Sequence, residues 1–155
     1  MDDERLEALD MQVACADLVN RYAQAVNEHD VETFVGLFAP DGVWSRPGMT
    51  MESRAQIRAF IAQMFVPERA VRHVNGGVTV DRVGHGEARA RSITCVFDAE
   101  RISGGQAVMR APAYLAEYDD QIVRIDGVWL IQRRTTTVTF VSPTAQALPG
   151  IAPPR

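Results

Sequence analysis

The sequence predicts an α+β fold in which three N-terminal helices pack on a strongly bent, mostly antiparallel sheet to form a cone. Apolar residues recur at helical spacing up to about residue 64, and from residue 71 onward they alternate with polar residues as strands do. The predicted strands run for roughly 13 residues or more, which is long for a strand. We therefore expect the sheet to bend under the helices and to enclose a pocket.

The first two predicted helices form a hairpin. Asp30 is placed to cap a second, short helix, and Pro40 with Asp41-Gly42 is expected to end it. Its apolar face contains Phe34, Leu37 and Phe38. The first helix, from about Leu6 to Glu28, is indicated by an apolar stripe at helical spacing, which consists of Cys15, Leu18, Val19, Tyr22 and Val26.

A third helix follows a short strand at Val43-Trp44 and a turn at Pro47-Gly48. Ser53 and Gln56 have the spacing of a capping box, which marks the start of a helix. The helix should end before Pro67, and its apolar face contains Ile57, Phe60, Ile61 and Met64.

Four strands are predicted at about 71–83, 87–100, 107–124 and 128–141. The segments between them can supply the positive φ that tight hairpins need, so the sheet is expected to be a meander. These segments are Gly84-His85-Gly86, Ser103-Gly104-Gly105 and Asp126-Gly127. Residues 1–142 are expected to form one domain. Residues 143–155 carry four prolines and predict a tail that is neither helix nor central strand.

Composition limits the classes of function. The chain has 155 residues, 46% of them hydrophobic, which is enough for one core. A net charge of −4 without a basic run argues against nucleic acid and anionic membranes as partners. The acidic N-terminus and the absence of an apolar run of about 20 residues predict a cytoplasmic protein. Cys15 and Cys95 form no ligand or disulfide pattern and are expected to be buried free thiols.

Three segments resemble the SnoaL-like branch of the nuclear-transport-factor-2-like superfamily. NRYAQAVNEHDVETFVGLFAPDGVW at 20–44 is similar to the opening of that branch. RHVNGG at 72–77 resembles the histidine strand of scytalone dehydratase and hexachlorocyclohexane dehydrochlorinase, and RIDGVWLIQRR at 124–134 resembles their last hairpin. The resemblance spans nearly the whole chain, but it predicts the fold better than the reaction. Members include dehydratases, a ketosteroid isomerase, polyketide cyclases, an epoxide hydrolase and non-catalytic binding modules.

This resemblance implies that His73 is a general base. In dehydratase-like members an aspartate on the first helix orients the histidine ring, and here that position holds Asn27. An amide can orient the ring of His73 but cannot stabilise its cation as a carboxylate does. Asp98 and Asp41 are candidates for a compensating carboxylate, and Asp98 falls near a second catalytic histidine of scytalone dehydratase. The plainer alternatives are a hydrogen-bonded core histidine and a helix-capping Asn27.

The same resemblance places Tyr22, Trp44, Tyr118 and Arg134 on the pocket wall. Strand alternation allows only one of Arg133 and Arg134 to point inward. Tyr22 and Trp44 also fit ordinary core packing in which their polar atoms bond to the backbone.

The sequence lacks the residues that ketosteroid isomerisation, metal binding and nucleotide binding require. The base of a ketosteroid isomerase would lie just before Pro47, where this chain has Ser45-Arg46. His29 and His85 are expected to be solvated, and the three histidines have no metal-ligand spacing. Without a nucleotide-binding motif either, no metal and no cofactor is predicted.

The sequence therefore predicts a cofactor-independent lyase or isomerase that acts on a small hydrophobic cyclic or aromatic molecule. In that reaction His73 moves the proton, while Tyr22, Tyr118 or Arg134 stabilises the developing negative charge. One alternative is a non-catalytic small-molecule-binding or polyketide-cyclase-like protein, and another is the structural small subunit of a ring-hydroxylating dioxygenase-like complex. Relatives are commonly dimers or trimers, so a homo-oligomer is expected.

Overall fold

The computed structural model describes residues 3–102, 104–109 and 112–143, and the predicted tail, apart from Pro143, lies outside them. The described residues form three helices and six strands. In chain order these are α1 (Asp3–Glu28), α2 (Val31–Gly36), β1 (Phe38–Arg46), β2 (Met49–Met51), α3 (Arg54–Met64), β3 (Arg69–Gly84), β4 (Glu87–Glu100), β5 (Tyr114–Ile125) and β6 (Val128–Val141).

The six strands form one sheet in the order β2-β1-β6-β5-β4-β3. Strands β3 to β6 pair antiparallel with their neighbours, as the predicted meander requires. Strand β1 pairs parallel with β6, so the sheet is mixed and is not closed into a barrel. Three helices packed on this sheet confirm the predicted α+β cone.

Both predicted helix caps are present. The Asp30 carboxylate accepts a hydrogen bond from the Thr33 N–H at 3.0 Å, which satisfies a free amide at the start of α2. Ser53 Oγ accepts from the Gln56 N–H at 3.3 Å at the start of α3. The predicted apolar stripe of α1 is buried along its length.

The predicted end of the second helix was wrong. Helix α2 ends at Gly36, and Phe38 belongs to β1, where it pairs in parallel with Ile131. Pro40 and Asp41-Gly42 lie within β1, in a stretch where the register with β6 shifts. A Cβ at Gly42 would lie 3.0 Å from the Ile131 carbonyl oxygen, so the strand can pass β6 this closely only with glycine. Tertiary pairing therefore outweighs the local helix pattern here.

Two more strand boundaries differ from the prediction. Strand β5 begins at Tyr114 and not at residue 107, because Ala107 makes only an isolated bridge with Arg101. The short strand β2 pairs with the end of β1 and was not predicted.

Irregular register bends the sheet around the helices. Strand β3 shifts register between Gly76 and Thr79, and Gly77 there has a φ of 59°. Such a bulge increases the local bend and twist of a strand. As a result, α1 packs against the inner face of β3 and β4. No helix in the described part of the chain is long and apolar enough to cross a membrane.

Candidate functional site

A cavity of about 70 Å³ lies between the helices and the inner face of the bent sheet. Five of the seven predicted site residues line it, namely Tyr22, Trp44, His73, Asp98 and Tyr118. Most of the other lining side chains are apolar or aromatic, which suits a small hydrophobic ligand. The remaining lining residues are Val26, Arg46, Pro47, Phe60, Ile61, Met64, Phe65, Arg69, Val71, Val96, Tyr114, Thr136 and Val138.

His73 points from β3 into this cavity. Its ring meets the ring of Tyr22 edge-on, with the centroids 6.5 Å apart. The Nδ1 atom is buried and has no hydrogen-bond partner. Burial, together with the positive charges of Arg134 and Arg46, lowers the pKa of His73 to about 3. The imidazole is therefore neutral at neutral pH, and its Nδ1 atom makes no hydrogen bond.

Asn27 contacts the backbone of His73 and not its ring, so the prediction that Asn27 orients the imidazole was wrong. Its Oδ1 accepts from the His73 N–H at 2.6 Å, and its Nδ2 donates to the His73 carbonyl at 3.3 Å. The cause is the position of β3 at the edge of the sheet, where these backbone groups have no neighbouring strand. An amide provides both the acceptor and the donor that they need, whereas a carboxylate provides only acceptors.

Asp98 faces the cavity but is already paired. Its carboxylate binds Arg69 in a bidentate manner, with a distance of 3.1 Å from Arg69 Nε to Asp98 Oδ1. Asp41, the other candidate carboxylate, is exposed outside the cavity and accepts from Gln132 at 3.3 Å. The ring of His73 thus has no carboxylate partner at Nδ1.

Arg134 is the inward-facing member of the Arg133-Arg134 pair, but the prediction that it lines the pocket was wrong. It is fully buried and forms two hydrogen bonds with Asp120, at 2.7 and 2.6 Å. Its guanidinium lies 3.8 Å from the ring centroid of Tyr22 and 4.4 Å from that of Tyr118. Burial alone would lower the pKa of Arg134, but the Asp120 carboxylate raises it. The ion pair between Arg134 and Asp120 therefore lies behind the two tyrosines and does not line the cavity.

The aromatic wall supplies neutral hydroxyl groups. Burial raises the pKa of Tyr22 and Tyr118, and it raises the pKa of Tyr114 to about 12. All three phenols consequently keep their protons at neutral pH and can donate hydrogen bonds. Trp44 is held in place by a hydrogen bond of 3.1 Å from its Nε1 to Thr136 Oγ1.

Sequence reasoning missed four polar lining residues, Arg46, Arg69, Tyr114 and Thr136. Strand alternation could have found them, because residues an even number of positions apart share a face. Arg46 follows Trp44 by two positions, Thr136 follows Arg134 by two, and Arg69 and Tyr114 precede His73 and Tyr118 by four.

The remaining histidines and the cysteines lie apart from this chemistry. His85 is exposed as predicted, whereas His29 is half-buried and stacks on Phe65 with centroids 5.3 Å apart. Cys15 is buried, and burial raises the pKa of its thiol to about 11, while Cys95 is half-buried. Among the described residues, no group of three His, Cys, Asp or Glu side chains could hold a metal ion.

Residues 7–135 match the family model of the SnoaL-like domain. The chain belongs to the SnoaL-like family. No curated protein matches it in sequence. Among solved structures, hexachlorocyclohexane dehydrochlorinase LinA-type3 from Novosphingobium barchaimii superposes with a TM-score of 0.75 at 17% identity, covering 97% of this chain and 99% of that one.

Two further solved structures have a similar fold. An NTF2-like protein with a cystatin-like fold from Novosphingobium aromaticivorans has a TM-score of 0.73 at 25% identity, over 92% of this chain and 91% of that one. A protein of unknown function from Mycobacterium tuberculosis has a TM-score of 0.70 at 21% identity, over 94% of this chain and 80% of that one. These similarities establish the fold, and the chemistry has to be argued from the cavity.

Proposed function

We propose that this SnoaL-like protein is a cofactor-independent lyase or isomerase with His73 as its general base. The substrate is a small hydrophobic cyclic or aromatic molecule bound in the cavity. The observation that carries the proposal is the buried, unpartnered Nδ1 of a neutral His73 on the wall of that cavity. A general base needs a free lone pair, and Nδ1 provides one in the tautomer of His73 that carries its proton on Nε2.

The reaction begins when His73 takes a proton from a carbon that a neighbouring carbonyl or ring makes acidic. The electron pair left on carbon moves onto the carbonyl oxygen, or it expels a leaving group from the adjacent carbon. Tyr22 and Tyr118, which are neutral hydroxyl donors, stabilise the negative charge that develops. Isomerisation is completed when the imidazolium returns the proton to a different carbon, and elimination when the proton is lost to the leaving group or to water.

Electrostatics limits which substrates can react. Arg134 and Arg46 both oppose a positive charge on His73, and no carboxylate touches its Nδ1 atom. The imidazolium can therefore form only if the substrate itself becomes negative at the same moment. Carbon acids that yield an enolate-like ion meet this requirement, because the negative charge of that ion compensates the imidazolium.

The test is hydrogen–deuterium exchange at carbon, because exchange reports proton abstraction even when the natural substrate is unknown. 2-Indanone and 2-tetralone are suitable probes, since both are cyclic, aromatic and acidic next to the carbonyl. We expect exchange in D2O, followed by NMR, to exceed the buffer rate with the wild-type protein and to return to it with His73→Ala. His85→Ala, in an exposed turn, should behave as wild type. Equal exchange by wild type and His73→Ala would contradict the proposal.

A second function, non-catalytic ligand binding, is favoured by the absence of a carboxylate at the ring of His73. A binding protein needs the aromatic cavity but has no use for an imidazolium. It would bind the same ketones without accelerating exchange, and neither Asn27→Asp nor His73→Ala would change the exchange rate. Calorimetric binding combined with the exchange measurement separates the two functions.

A further inference from the structure

The charged side chains that line the cavity do not balance one another. Arg69 and Asp98 form a bidentate pair and compensate each other. His73 is neutral, as are the tyrosine hydroxyls. Arg46, which is always charged, has no acidic partner among the described residues. One positive charge on this wall is therefore uncompensated.

Arg46 is held in place by aromatic rings. Its guanidinium carbon lies 5.5 Å from the ring centroid of Trp44 and 5.1 Å from that of Phe60, both within cation–π distance. Its Nε atom is buried and makes no hydrogen bond. A buried donor that lacks a partner lowers stability, and an acceptor in the cavity would remove this cost. Trp44 is itself fixed by Thr136, so the guanidinium is positioned before any ligand arrives.

We infer that the cavity selects a small-molecule anion, with an oxyanion carried on a hydrophobic ring, and that Arg46 binds this oxyanion. A carboxylate and a phenolate share this chemistry. Hydrogen bonds from a guanidinium to such an oxygen are charge-assisted, and they are stronger in a largely apolar cavity than in water. The inference names the substrate class of the site proposed above and rests on that site being the functional one.

The two residues proposed to act on such a ligand lie on different strands. Arg46 belongs to β1 and His73 to β3, and the sheet order places β6, β5 and β4 between these strands. An oxyanion at Arg46 leaves the hydrophobic ring to the aromatic side chains that line the same cavity as His73. The oxyanion is an anchor in the ground state, and the carbon that loses its proton is a separate part of the molecule.

Calorimetric titration with benzoate and nitrobenzene tests this inference, because the two molecules are nearly identical in shape and differ in charge. We expect wild type to bind benzoate at least about tenfold more tightly than nitrobenzene. Arg46→Met should abolish this preference, and Arg46→Lys should keep part of it. Arg133→Met removes the same charge from the exposed face of β6 and should leave the preference unchanged. Equal binding of both probes by wild type, or an unchanged preference in Arg46→Met, would overturn the inference.

Two further titrations make the test specific. A nitrophenol that ionises near neutral pH should likewise bind more tightly to wild type once it is a phenolate, and Arg46→Met should lose this increase; an increase that Arg46→Met retains would overturn the assignment of the oxyanion to Arg46. His73→Ala should keep the anion preference, since a neutral ring contributes no charge to it. The benzoate preference can hold even if wild type shows no carbon-acid exchange, and exchange can occur without the preference. The exchange measurement therefore tests His73 as a general base, and the titration separately tests Arg46 as an anion-binding residue. Far-ultraviolet circular dichroism confirms that each variant is folded.

Discussion

Arg134 and Arg46 both lie against the aromatic residues of one cavity, and each has a buried nitrogen without a hydrogen-bond partner, Arg134 Nη1 and Arg46 Nε, but they differ in burial and in counter-charge. Arg134 is fully buried behind Tyr22 and Tyr118, and Asp120 holds it with two hydrogen bonds. Arg46 is half-buried on the cavity wall, touches Trp44, and has a buried Nε without a partner. The first is a completed ion pair, and the second is a cation that still lacks one.

Strand register explains the difference. Asp120 stands opposite Arg134 on neighbouring strands, so the ion pair is part of the sheet. Arg46 stands opposite Met49, which offers no charge. A buried charge that the fold itself compensates is structural, whereas an uncompensated charge on a cavity wall is available to a ligand. This contrast predicts that removing the partner of Arg134 lowers the stability of the fold, whereas removing the charge of Arg46 affects ligand binding more than stability.

The largest effect is expected for the completed pair. Asp120→Asn leaves Arg134 buried without its counter-charge, so the free energy of unfolding should fall by about 3–5 kcal/mol. Asp119→Asn is the matched control, because its exposed pair with Arg89 on the outer face should contribute less than about 1 kcal/mol. Urea denaturation measures both. Equal losses of unfolding free energy in the two variants would mean that the buried pair of Asp120 and Arg134 stabilises the fold no more than the exposed pair does.

A smaller effect, which depends on pH, is expected at His73. Its pKa is about 3 in the folded protein and near 6.5 in the unfolded chain, so below pH 6.5 the unfolded chain binds more protons. Stability contributed by the neutral ring is fully present above pH 6.5 and is lost as pH falls toward 3, by a few kcal/mol at most. Between about pH 7 and pH 4.5, wild type should therefore lose more stability than His73→Gln. Identical losses would show that the folded-state pKa of His73 is not depressed.

Asn27 should have an intermediate effect, because it satisfies backbone groups and compensates no charge. In Asn27→Asp a carboxylate would face the His73 carbonyl and could not donate to it, which should lower the unfolding free energy by about 1–3 kcal/mol. Asn20→Asp, at an exposed position on the same helix, serves as the control. Unchanged stability in Asn27→Asp, together with faster carbon-acid exchange, would restore the role of ring orientation that the sequence suggested.

Arg46 should have the smallest effect on stability. Replacing it with Met loses the cation–π contacts with Trp44 and Phe60 but also removes an uncompensated charge and an unpartnered donor, so the free energy of unfolding should change by no more than about 1 kcal/mol. Urea denaturation in the absence of ligand is the measurement. A loss comparable with that of Asp120→Asn would show that Arg46 is structural as well.

Much of the fold was predictable because its signals are local. Asp30 and Ser53 cap their helices through the next turn of the same chain, and alternation identified β3, β4 and β6. Phe38 was assigned to a helix because its neighbours in sequence favour one, while its place in β1 depends on Ile131, which is distant in sequence. Pairing between distant segments leaves no periodic signal in either of them.

The candidate site was only partly predictable, for the same reason. His73 and Tyr22 were found because they lie within recognisable segments. The role of Asn27 depends on β3 being an edge strand, and that of Arg134 on Asp120 standing opposite it. Both are properties of the assembled sheet. Alternation from Trp44 could have predicted that Arg46 lines the cavity, but nothing in the sequence indicates that its guanidinium has no acidic partner.

The central claim, that a neutral His73 removes a proton from a ligand in this cavity, is tested most directly by the pH dependence of carbon-acid exchange. With 2-tetralone in D2O, the wild-type rate above the buffer background should show no inflection near pH 6.5, because His73 stays neutral down to a pH of about 3. His73→Gln should reduce exchange to the background rate at every pH. Exchange that persists in His73→Gln, or a wild-type profile with an inflection near 6.5 that this variant retains, would contradict the claim.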